Sequence, residues 1–121
     1  MDLNISGVSY EGKWFDFGDG RLKIRPYPAS KTNFIFKDGG AVLSGEQGFE
    51  KFNHCLESWE GFVAKDDEAK KPIELTEDVK RKVFDFRLGS IKDGDREITM
   101  PDFVFARADE LLKGIVAAEK N

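Results

Sequence analysis

The chain has 121 residues with 19 Lys and Arg against 23 Asp and Glu, a net charge of −4. That length is one ordinary domain, large enough to bury a core without disulfide or metal staples, and too short for two lobes around a cleft. The acidic excess is shared equally between the halves 1–60 and 61–121, so no basic patch grips phosphate backbones or an anionic membrane, and neither nucleic acid nor membrane is expected as a partner. A single cysteine and no 18-residue apolar run point to a reducing cytoplasm.

The predicted elements place an α+β domain in one unit, 1–121. Residues 1–44 are mainly β and 45–121 mainly α, so a small antiparallel sheet of hairpins packs with about three helices. Residues 8–17 are rich in aromatic and β-branched types and end at Gly18-Asp19-Gly20. Strict alternation then runs through Arg21-Leu22-Lys23-Ile24-Arg25, which predicts a hairpin with Phe15, Phe17, Leu22 and Ile24 inward and the cations in water. Gly12 reads as a bulge or bend. Pro26 and Pro28 stop the second strand. Residues 33–44 read as two short strands around Gly39-Gly40, although Phe34 to Phe36 also fits one turn of buried helix.

From Glu46 the period changes. Phe49, Phe52, Leu56, Trp59 and Val63 recur at three or four residues, the stripe of a helix ending near Gly61, with Glu50, Lys51, Glu57 and Glu60 on its polar side. Residues 65–72 form a charged loop bounded by Pro72. Thr76 is an N-cap ahead of Glu77 and Asp78, so a helix begins at Glu77, turns Val79, Val83, Phe84 and Phe86 to the core, and closes at Gly89. Residues 89–100, with an Asp93-Gly94 turn between Ile91 and Ile98, form a small hairpin or an ordered loop. Pro101 opens a last helix whose apolar side is Phe105, Ala108, Leu111, Leu112, Ile115 and Val116, and whose end frays from Ala117.

Reactive constellations fail on spacing or context. Gly7 to Lys13 has the spacing of a phosphate loop, but the next residue is Trp14 where a hydroxyl is needed, and Glu11 would face the phosphate. Asp16-Phe17-Gly18 repeats a kinase tripeptide in a chain far too short for that fold. Asp93 to Glu97 suggests a calcium loop, but its sixth position is Ile98 where a glycine is needed, and Arg96 adds positive charge. His54 and Cys55 are neighbours, so on a helix their side chains diverge by about 100°. Asp66 and Asp67 have no apolar pocket to split their pKa values. No catalytic residue, cofactor or metal is expected, and the chain reads as a non-enzyme. Its 11 Phe, 2 Trp and 2 Tyr are mostly core. A domain this small has limited room for them, and any left outside mark a protein partner.

Three segments resemble the small tail assembly chaperone-like proteins of long-tailed bacteriophages and prophages. They are Gly12-Lys13-Trp14-Phe15-Asp16-Phe17 with Leu22-Lys23-Ile24-Arg25-Pro26; Phe52 through Val63, with its Trp59-Glu60-Gly61 step, running into Pro72-Ile73-Glu74-Leu75-Thr76; and Asp102 through Leu111. The resemblance implies a non-enzymatic helper in the bacterial host's cytoplasm that engages the tape-measure protein, or other tail proteins, before the tail tube polymerises. A structural tail component or a general prophage-encoded binding module is the alternative, and a small enzyme ranks last. Phe49, Phe52, Trp59 and Phe62 on the first long helix, and Phe103 and Leu111 on the last, are the candidate interface residues. Self-association into a homo-oligomer stays open.

Overall fold

The computed structural model describes residues 1–6, 8–32, 36–37, 40–41 and 45–120. In chain order the elements are β1 (Lys13–Phe17), β2 (Gly20–Ile24), α1 (Ala29–Thr32), β3 (Phe36–Lys37), β4 (Gly40–Ala41), α2 (Gly45–Cys55), β5 (Leu56–Glu60), α3 (Glu77–Phe86), β6 (Ser90–Asp93), β7 (Arg96–Thr99) and α4 (Met100–Lys120). This is the expected α+β architecture.

The first hairpin forms as read. β1 and β2 pair antiparallel with Phe15 opposite Leu22 and Phe17 opposite Gly20. Phe17, Leu22 and Ile24 are buried and Phe15 packs beside them, because alternate side chains of a strand share a face. β3 and β4 pair through Phe36 and Ala41; the remainder of the second hairpin expected over 33–44 lies outside the described residues.

The largest departure from the sequence reading is β5. The first long helix ends at Cys55, and Leu56–Glu60 turns into the third strand of a sheet ordered β1-β2-β5. Leu56 and Trp59 stand opposite Ile24 and Leu22, and the register shifts between them. One extra residue, Glu57, is accommodated there. A bulge of this kind sets two residues against one, so the apolar side chains on a common face fall three apart rather than two. That spacing imitates a helix. Glu57 answers for its position by pairing with Lys23 at 3.0 Å and Arg25 at 3.7 Å.

The end of α2 is held from outside. Lys80 Nζ donates to the Asn53 carbonyl at 2.9 Å, Arg25 Nε to that of His54 at 2.6 Å, and the Arg25 backbone N–H to that of Cys55 at 2.9 Å. Two of the orphan carbonyls of the last turn are thus satisfied by cationic side chains, which also suit the negative end of the helix dipole, and a third by a backbone N–H.

The helices cover one side of the sheet. α2 packs on both α3 and α4, and α4 lies across β2. Their shared core is Phe17, Leu22, Ile24, Tyr27, Phe52, Cys55, Leu56, Val83, Met100, Phe103, Val104 and Ala108. On the other side Arg21 pairs with Glu60 and stacks over Trp14 at 4.6 Å, and Lys23 bridges Glu11 and Glu57.

α3 starts at its predicted cap, with Thr76 Oγ1 accepting from the Val79 N–H at 3.2 Å. Its C-terminus is closed by Arg87 in the left-handed region rather than by Gly89. Residues 90–99 are a hairpin, with Asp93 opposite Arg96. α4 continues helical to Lys120, past the point where fraying was expected.

Gly61 ends β5 at φ +88, and a Cβ there would sit 2.9 Å from the Cα of Gly20. Gly61→Ala is therefore expected to cost roughly 2 kcal/mol or more, combining left-handed backbone strain with a clash against β2. Urea unfolding checks this, and an unchanged midpoint would refute the close approach of the two strands.

Candidate protein-interaction surfaces

The six candidate interface residues separate into two groups. Phe49 (4% exposed), Phe52 (0%) and Phe103 (6%) are core and present nothing to a partner, which corrects their place as surface candidates. Phe52 lies between the rings of Phe84 and Phe105, and Phe103 meets Phe17 edge-on at 5.1 Å. Phe49 is closed off by Phe84 and by Arg81, whose guanidinium sits 3.6 Å over the ring while forking onto Glu46.

Trp59, Phe62 and Leu111 are half-buried. Trp59 and Phe62 sit on the sheet and the segment after it, not on a helix. Their rings stack at 4.7 Å, and Trp59 Nε1 donates to the Ile73 carbonyl at 2.8 Å. With the Ile73 N–H on the Phe62 carbonyl and a bridge from Val63 to Pro72, they fasten both ends of the charged loop. Inside that loop the Asp67 carboxylate accepts from the backbone of Ala69 and Lys71. Leu111 lines an open groove of about 430 Å³ with Gly114, Ile115 and Ala118 of α4, Pro26, and Ser9, Glu11 and Lys13. A second groove, about 520 Å³, separates β6 and β7 from α4 and mixes five carboxylates with Lys92, Arg96 and Arg107.

The exposed apolar side chains are ones that sequence patterning missed. Phe86, expected in the core, is 74% exposed, and Leu88 next to it is 49% exposed. Phe84 is the α3 ring that packs on α2, and Phe86 is two residues further on, about 200° around the helix. The spacing of three from Val83 hid this. Lys51 errs the other way: assigned to the polar side of α2, it is buried, 2.9 Å from Asp109, with the Phe105 ring 5.3 Å from its ammonium. Nothing in its neighbours' sequence announces a carboxylate on a distant helix.

The potentially reactive groups are quiet. Burial pushes the Cys55 thiol up to about 12, far from a nucleophilic thiolate at neutral pH. His54, set edge-on to Tyr27 at 5.5 Å, is held below the ordinary histidine value first by burial and then by Arg25 and Lys31. Ellman's reagent at pH 8 should leave the native thiol unmodified and find one thiol after unfolding; rapid native reaction would refute its burial. Trp14 stands in a strand opposite Lys23, so the Gly7-to-Lys13 spacing carries no strand-to-helix turn at its lysine end. Among the described residues no group of three or more His, Cys, Asp or Glu is placed to hold a metal ion, and no helix is long and apolar enough to cross a membrane.

Compared with known proteins, the chain matches no family model, no curated protein and no solved structure at a significant level.

Proposed function

We propose that the chain is a non-enzymatic tail assembly chaperone of a long-tailed phage or prophage, acting in the host cytoplasm on the tape-measure protein. The observation that carries this reading is spatial. The three segments that resemble the chaperone-like family are distant in sequence, yet they meet as one body: β1 and β2, the end of α2 with β5, and the first half of α4.

A chaperone of this kind masks apolar surface of its partner, and needs apolar surface of its own. Phe86 and Leu88, at the end of α3, supply it. The test is co-purification of the affinity-tagged chain from its source cell with identification by mass spectrometry. Recovery of a long, helix-rich tape-measure protein, absent from an untagged control, is the expected result. Recovery instead in assembled particles with tail-tube subunits would replace the chaperone by a structural component, and the absence of any tail protein would overturn the reading. Phe86→Glu with Leu88→Glu should reduce tape-measure capture at least tenfold while leaving the circular dichroism spectrum unchanged. Undiminished capture would move the contact elsewhere.

A further inference from the structure

The end of α2 gathers positive charge. Lys80 of α3 reaches the Asn53 carbonyl at 2.9 Å, and Arg25, just past β2, reaches that of His54 at 2.6 Å. Lys31 of α1 lies 3.8 Å from Glu50 and 5.9 Å from the centre of the Tyr27 ring. The same ring meets the His54 imidazole edge-on at 5.5 Å. His54 is thus half-buried where three separate segments each bring a cation to the last turn of α2. A histidine at a helix C-terminus ordinarily gains from protonation, because the last carbonyls favour a positive charge. Here those carbonyls are already taken by Lys80, by Arg25 and by the Arg25 backbone N–H.

The carboxylates around the junction are committed as well. Glu57 of β5 is shared between Lys23 at 3.0 Å and Arg25 at 3.7 Å, Glu50 answers Lys31, and Glu77 of α3 offsets part of the Lys80 charge. Tyr27 also faces Lys51, whose ammonium, 6.0 Å from the ring centre, is paired with Asp109 of α4. Cys55, the next residue, is a buried thiol. Among the described residues, a proton arriving on His54 therefore joins Arg25, Lys31 and Lys80, with Glu50 as the carboxylate that opposes their repulsion.

We propose that His54 is an acid sensor built into the α2–β5 junction: its protonation repels Arg25 and Lys80, weakens their hold on the α2 carbonyls, and loosens the junction from β2 and α3.

Burial first, then Arg25 and Lys31, hold the folded imidazole below the ordinary histidine value. As pH falls the unfolded chain takes up this proton before the folded one does. The stability contributed by neutral His54 is therefore complete above the ordinary histidine range and is lost on acidification below it. His54 is the single histidine of the chain, and histidine is the side chain whose ordinary titration falls between about pH 5 and pH 8.

The test joins a proton NMR titration of the His54 ring to amide exchange at Arg25, whose N–H donates across the junction to the Cys55 carbonyl. His54 should titrate below the ordinary histidine value. Lys80→Gln keeps a donor for the Asn53 carbonyl while removing a charge, and should move the His54 midpoint upward. Between about pH 7.5 and pH 5.5, protection of the Arg25 amide should fall about threefold or more relative to that of Ala108 in α4, after correction for intrinsic exchange. In His54→Gln that ratio should stay constant. Titration of His54 at or above the ordinary value would overturn the proposal, as would the same pH course of the ratio in the unmodified chain and in His54→Gln. A His54 midpoint unmoved in Lys80→Gln would also overturn it, because Lys80 is one of the two groups on which the proton acts.

Discussion

Phe52→Ala should lower the free energy of unfolding by about 3–5 kcal/mol, the usual cost of removing a fully buried aromatic ring and leaving a cavity. Phe52 is 0% exposed, with ring centroids 5.7 Å from Phe84 and 6.4 Å from Phe105. Its loss opens the junction at which α2, α3 and α4 meet, and no neighbour is free to collapse into the space because each packs on another ring. Urea unfolding followed by tryptophan fluorescence measures the change, and a loss below about 1.5 kcal/mol would place the ring outside the core. Phe86→Ala is the matched control. With its ring mostly in water, it should shift stability by no more than about 0.5 kcal/mol, as surface substitutions do.

The pair Lys51 and Asp109 should respond asymmetrically. Asp109→Ala leaves the Lys51 ammonium buried beside Tyr27 and Phe105 without its carboxylate. Breaking a fully buried pair this way costs about 3–5 kcal/mol; since Asp109 is itself half exposed, water moderates the loss to about 2–3 kcal/mol. Lys51→Met removes the charge and keeps an apolar stem of similar length, and replacing a buried ion by a hydrophobic residue is often neutral or stabilising. In the Lys51→Met background, Asp109→Ala should therefore cost almost nothing. Equal losses in both backgrounds would show that the two groups do not interact.

Lys51 also shows why the interior was only partly legible. Its place on the helical wheel reads as solvent, and its burial depends on α4 bringing Asp109 and Phe105 over it. The same holds for the candidate interface. Periodicity correctly marked Phe49 and Phe52 as one face of a helix, but a stripe destined for the core and a stripe offered to a partner have the same spacing. Only the presence of Phe84, Phe105 and Arg81 opposite them tells the two apart.

By itself the sequence determined those elements whose causes are local. Strict alternation from Arg21 to Arg25 and the turn before it make the first hairpin; Thr76 and the acids after it start α3; Pro101 sits in the first turn of α4, while between Ile91 and Ile98 the sequence allowed a hairpin or an ordered loop and the structure has the hairpin. Tertiary structure alone decided the fate of Leu56–Glu60, whose residues favour helix and whose apolar spacing is helical, because the backbone partner that draws it into the sheet is β2, far earlier in the chain. It also decided that Lys51 is inside and Phe86 outside. Patterning states which side chains share a face; whether that face meets protein or water is settled only when another element arrives to cover it.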